Sequence, residues 1–157
     1  MTNKERKIRR IFSKYVPTNE LDELLSNPEL VTPNRLQPRN GGILFVMVKG
    51  DTPEQVAASM GQISNILVSN RIIIYSMISG LIIAMTVSEN ARDQIDTTIQ
   101  QITAAVLKNC KITYRFGDAS VGSIGTEGHQ QHSFIVKDFD KIVSRLINLP
   151  YGKCEEF

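Results

Sequence analysis

Ile43-Leu44-Phe45-Val46-Met47-Val48, running into Lys49-Gly50-Asp51-Thr52-Pro53, is the stretch that sets the fold. An unbroken apolar run rich in β-branched and aromatic residues suits a strand buried on both faces, and Gly50 to Pro53 ends it. Thr52 is placed to cap a helix, with Pro53 at its first position and Gln55 three residues after the cap. Val56, Met60, Ile63 and Leu67 then recur at helical spacing until about Asn70.

Working outward toward the C-terminus, residues 71–87 read as two strands turning near Ser79-Gly80. A second helix over 89–108 carries Ile95, Ile99, Ile102 and Val106 as its buried stripe. Residues 111–124 give a long strand broken by Gly117 and Gly122, and 132–136 a shorter one. A last helix over 138–149 turns Phe139, Ile142, Val143 and Leu146 inward. The order predicts an α+β, ferredoxin-like (βαββαβ) sandwich with its helices on one sheet face.

Toward the N-terminus, residues 7–25 read as a helical arm broken near Pro17. It is amphipathic: Ile8, Ile11, Phe12 and Tyr15 share one face, and Arg6, Arg9, Arg10 and Lys14 surround it. Asn27 to Gly42 holds three prolines and a glycine pair, the composition of a linker. The expected division is an arm and linker over 1–40 and a domain over 41–157.

A chain of 157 residues buries one compact core without staples. With 22% charged residues and a net charge of +2, its composition is not that of a polyanion binder, and no nucleic-acid partner is expected. Cys110 and Cys154 fit neither a disulfide framework nor a zinc spacing, which points to reduced thiols and a cytoplasmic setting. No secretory leader is expected. The apolar run 72–87 falls short of the ~20 residues of a spanning helix and contains Ser76, Ser79 and Gly80. Membrane contact is thus limited to a peripheral touch through the basic arm. His129 and His132 lack the further ligands of a metal site. No phosphate loop, catalytic triad or cofactor motif is present.

Two segments carry a resemblance. One is Arg9-Arg10-Ile11-Phe12-Ser13-Lys14-Tyr15-Val16-Pro17, followed by Leu24-Leu25 and Asn27-Pro28-Glu29-Leu30. The other is Gly117-Asp118-Ala119-Ser120-Val121-Gly122-Ser123-Ile124-Gly125, followed by a strand and a helix with Arg145-Leu146. Together they resemble the class III adenylate/guanylate cyclase catalytic domain with the helical lead-in of bacterial members.

That resemblance implies a reaction in which two Asp side chains hold two divalent cations, while the ribose 3′-hydroxyl attacks an α-phosphate. Such cations demand oxygen ligands. The first Asp position falls on Met47. The second falls on Ser79, or on Leu81 if the turn is aligned through Gly80, and no register supplies a carboxylate. Asp51, the nearest acid, reads as part of the helix start. The base-selecting lysine position holds Tyr75. Its later partner falls on Ser133 after His132, or one residue away, and the Asn and Arg of the last helix correspond to Lys141 and Arg145.

The expectation is therefore a pseudoenzyme of bacterial, cytoplasmic signalling without cofactor. It would act as a regulatory or scaffolding interaction module through a protein partner, either a second copy in a homodimer or another protein. The alternative is a nucleotide or cyclic-nucleotide sensor using Lys141, Arg145 and Ser133.

Overall fold

The computed structural model describes residues 2–12, 22, 26 and 33–157. The described elements are α1 (Asn3–Phe12), β1 (Leu36–Val48), α2 (Pro53–Ser69), β2 (Ile73–Ile78), β3 (Leu81–Thr86), α3 (Ala91–Val106), β4 (Cys110–Thr126), β5 (His129–Val136), α4 (Phe139–Asn148) and β6 (Cys154–Glu156). The order β1-α2-β2-β3-α3-β4 is the expected ferredoxin-like unit.

The sheet runs β2-β3-β1-β4-β5, with β6 beside the first half of β4. All neighbours are antiparallel except β4 and β6, where Ile112 to Tyr114 pair with Cys154 to Glu156 in parallel. Strand β1 is central because both of its faces are apolar. Leu44, Val46 and Val48 join one buried cluster with Ile63 and Leu67 of α2 and Ile95, Ile102 and Val106 of α3. Ile43 and Phe45, pointing the other way, pack with Ile83, Met85, Val136, and Ile142 and Leu146 of α4. Each such side chain contributes about 1.5–3 kcal/mol relative to exposure.

This distribution corrects one expectation. The helices do not share a face: α2 and α3 cover one side of the sheet and α4 the other. The physical reason is the unbroken apolar run of β1, which needs cover on both sides.

Strand β1 also begins at Leu36, inside the stretch read as linker. Residues 36–40 pair with 118–122 of β4, with Leu36 opposite Gly122 and Asn40 opposite Asp118. Pro38 is tolerated there, and Asn40 Nδ2 donates to Asp118 Oδ1 at 2.8 Å. Asn34 extends the ladder further: its backbone N–H donates to Ser123 O at 2.8 Å, and its side-chain amide exchanges two hydrogen bonds of 3.2 Å with the Gly125 backbone. Strand β4 runs through Gly117 and Gly122 unbroken, and β5 starts three residues earlier than His132.

The start of α2 is as the sequence predicts. The Gln55 backbone N–H donates to Thr52 Oγ1 at 3.2 Å, and Gln55 Oε1 accepts from the Asp51 N–H at 2.8 Å. Ser79 and Gly80 make the β2–β3 turn with φ of 49° and 85°, the pair of positive angles of a type I′ hairpin. At the far end, Lys111 is buried and its Nζ donates to Ile147 O at 2.7 Å and Leu149 O at 3.0 Å, capping the C-terminus of α4. Its ammonium also lies 4.6 Å from the centre of the Tyr151 ring.

Of the arm, α1 covers 3–12, and Ile8 is half-buried in it. The side chains of Ile11 and Phe12, and all of Tyr15, lie outside the described residues. So does the remainder of the predicted arm except Asp22. Arg9 pairs with Asp22. No helix among the described residues is long and apolar enough to cross a membrane.

Candidate functional site

Of the positions singled out by sequence, Met47, Tyr75 and Leu81 lie on the sheet face that carries α4. Met47 on β1 and Leu81 on β3 are direct cross-strand partners. Both are partly buried and pack on the cluster around Phe45 and Ile142. Ser79 instead occupies the exposed turn, two residues from that pair along the hairpin. Of the two registers read from sequence, the Leu81 one is therefore the one in which the hairpin position directly faces Met47.

Beside the turn, a groove of about 480 Å³ opens between the hairpin and the start of α2, lined by Val48, Gly50, Asp51, Thr52, Val56 and Ser79 among others. The Val48 N–H donates to Gly80 O at 2.8 Å and fixes the turn against β1. Asp51 is exposed at its mouth. Among the described residues no group of three or more His, Cys, Asp or Glu side chains is placed to hold a metal ion.

The two positions that the resemblance assigns to base selection, Tyr75 and Ser133, do not come together: Tyr75 meets His132 and Phe134 instead. The β2–β3 register slips between Ile74 and Ser76, which leaves Tyr75 at a bulge. A bulge re-aims a side chain, and here the Tyr75 ring reaches β5. It stacks on His132 at 5.4 Å between centres and 25° between planes, and meets Phe134 edge-on at 4.9 Å. Strand alternation turns Ser133, opposite Gly122 on β4, to the other side. The pattern of apolar residues around β5 was too short to fix this register in sequence. The bulge carries no sequence signal.

Lys141 and Arg145 share one side of α4 and line a groove of about 410 Å³ with Asp140, Ser144, Asn148 and Phe157. Ser133 does not line it. Arg145 is engaged: its Nε donates to Glu155 Oε1 at 2.9 Å and its Nη2 to the same oxygen. This contact with the Glu155 carboxylate raises the guanidinium pKa above its ordinary value. Lys141 Nζ lies 3.6 Å from Asp138 Oδ1, one turn away. Strand β6, which brings Glu155, is an element that sequence reasoning missed. Its three residues show no alternation of their own and are ordered by pairing with β4.

His129 and His132, three apart on an extended strand, project to opposite faces and do not form a pair. Cys110 is buried and Cys154 exposed, both free. Burial, with a smaller contribution from Cys154, pushes the Cys110 thiol up to about 11. Such a thiol is inert at neutral pH.

This architecture is that of the adenylyl and guanylyl cyclase catalytic domain. A bacterial light-regulated adenylyl cyclase superposes with a TM-score of 0.72 at 16% identity over 94% of this chain, which spans 52% of that protein's length. The guanylate cyclase domain of RhGC from Catenaria anguillulae, solved in complex with GTP, gives a TM-score of 0.62 at 10% identity, covering 75% of this chain and 78% of that one. The adenylyl cyclase CyaB from P. aeruginosa gives 0.56 at 10% identity over 76% and 77%. At these identities the likeness defines the fold. No protein-family model matches the chain, and no curated protein matches its sequence.

Proposed function

We propose that this protein is a catalytically silent cyclase-fold domain that works by protein association, with a second copy or with another protein. The observation that carries the reading is the Met47–Leu81 pair. With the turn aligned through Gly80, the positions that the cyclase resemblance assigns to the two metal carboxylates sit directly opposite each other and hold a thioether and an alkyl side chain; in the other register the second is Ser79, a hydroxyl on the exposed turn. Neither ligates a hard divalent cation, which needs oxygen donors. Without that cation the charge developing on the α-phosphate is unopposed.

The other positions support the same reading. Tyr75, in the place of a base-selecting lysine, is packed against His132 and Phe134. Arg145 is paired with Glu155. Both side chains are thus engaged within the chain, and two large apolar ones nearby are exposed: Ile78, the cross-strand partner of Leu81, and Phe139, whose ring packs on Phe45. Exposed apolar area of this kind suits a protein partner.

The ligand-binding alternative rests on the groove shared by Lys141 and Arg145. Nucleotide would have to displace Glu155 from Arg145, and Ser133 would take no part.

The test is a pair of measurements on the intact chain. Incubation with ATP or GTP and manganese should give no cyclic product, and size-exclusion light scattering should give a mass above that of one chain, alone or with a captured partner. Cyclic product above background, abolished by Asp51→Ala, would overturn the silent reading. A nucleotide-dependent rise in Tm without product, lost in Arg145→Ala, would favour the sensor.

A further inference from the structure

Strands β2 and β5 are opposite edges of the sheet, separated by β3, β1 and β4. In a flat sheet four strand spacings of about 4.8 Å would set them about 19 Å apart. The Tyr75 and His132 rings nonetheless stack at 5.4 Å. The sheet is therefore curled nearly onto itself, and the part that curls is a three-stranded arm: residues 36–40 of β1, 118–126 of β4, and β5.

The glycines point to the place of the bend. Gly41 and Gly117 are cross-strand partners, so β1 and β4 carry glycine at the same register. Strand β3 ends at Thr86, opposite Gly42, just before this point. A Cβ on Gly41 would lie 1.9 Å from Thr86 O, so the backbones touch on the inside of the bend. On Gly117 a Cβ would meet nothing nearer than Arg115 Nε at 3.6 Å. Close packing explains the first glycine and leaves the second without a steric reason. Paired glycines with no side chain to resist bending are what a sheet corner uses.

We propose that Gly41 and Gly117 form a hinge, and that Tyr75 with His132 and Phe134 is the latch that holds the arm closed over the α4-bearing face. The closed arm keeps Ala119, Val121 and Val136 buried against Phe45, Ile83 and Met85. The latch also fills the base-recognition position from within, so entry of any planar ring or apolar partner segment there requires the arm to lift. What the latch guards rests on the association reading. The hinge and latch themselves are measured on the chain alone, so absence of a partner leaves them standing, and their failure leaves association untouched.

The experiment places spin labels at Glu127→Cys, on the exposed arm tip, and Val68→Cys, on the exposed side of α2, in a Cys154→Ser background with buried Cys110 retained. With Tyr75 intact the distance distribution should be single and narrow. Tyr75→Ala should broaden it and lengthen its mean by about one strand spacing, ~5 Å, whereas Tyr75→Phe, which keeps the ring, should match the parent. An unchanged distribution in Tyr75→Ala, or an equal broadening in Tyr75→Phe, would overturn the latch. Should Tyr75→Ala fail to fold, His132→Ala on the half-exposed strand carries the same two outcomes. Adding Gly117→Val to the opened variant should narrow the distribution again, and an unaffected width would remove the glycine pair from the proposal.

Discussion

Met47 and Leu81 stand directly opposite each other across the β1–β3 ladder, one step from the hairpin turn formed by Ser79 and Gly80. Of the two readings of the second metal position, Ser79 and Leu81, Leu81 is the one paired with Met47. An apolar pair there stabilises the sheet by cross-strand packing, where two carboxylates would repel each other without a cation between them.

The first prediction follows from that pair. Magnesium or manganese with nucleoside triphosphate should leave the Tm of the wild-type chain unchanged. Introducing carboxylates as Met47→Asp with Leu81→Asp should lower stability without metal and restore part of it with manganese. Thermal melts with and without manganese check this, and a double variant indifferent to the cation would show that the pair does not mark a metal position.

Glycines give opposite outcomes at two positions. Gly61 lies inside α2, and a Cβ added there would meet nothing within 4 Å. Gly61→Ala should therefore stabilise the protein by about 0.5–1 kcal/mol, through lower unfolded-chain entropy and better helix propensity. Gly41→Ala should destabilise it by more than that, because its Cβ would fall on Thr86 O. Urea unfolding of both variants gives the signs.

Lys111 ties the C-terminus of α4 to the start of β4 through two carbonyls. Lys111→Met keeps the buried stem and removes the donor, leaving the Ile147 and Leu149 carbonyls without it. The expected loss is about 1.5–3 kcal/mol, the range for hydrogen bonds to a charged group. Hydrogen exchange at the Leu149 end of α4 should rise with it, and equal protection in the variant would mean that the cap is dispensable.

Cys110 makes a pH prediction with a defined sign. Its thiol ionises near 11 in the folded chain, against 9.0 ordinarily. Between those values the unfolded chain releases a proton that the folded chain keeps, so stability is full below about pH 9 and falls as pH rises toward 11. Cys110→Val should flatten that fall. At pH 8 a thiol reagent should modify Cys154 alone until denaturant exposes the second thiol.

Much of the fold was legible because its signals are local. The apolar run of β1, the Thr52-Pro53-Gln55 cap, the stripe of Ile95, Ile102 and Val106, and the Ser79-Gly80 turn each act within a few residues. Less legible were the elements made by partners distant in sequence. Residues 36–40 read as linker because they lie in a stretch, Asn27 to Gly42, with three prolines and a glycine pair, yet β4 recruits them into the ladder. β6 and the side of the sheet taken by α4 were likewise set by packing.

The candidate site divides along the same line. Sequence by itself determined its chemistry: no carboxylate occurs in residues 43–48 or 72–87, whatever the register, and side-chain type needs no fold to be read. Only the tertiary structure decided which residues meet. It set Met47 against Leu81, brought His132 rather than Ser133 to Tyr75, and gave Arg145 to Glu155. The reason is that cross-strand register, a one-residue bulge and the curl of a sheet are properties of long-range pairing, where a shift of one position exchanges the two faces of a strand.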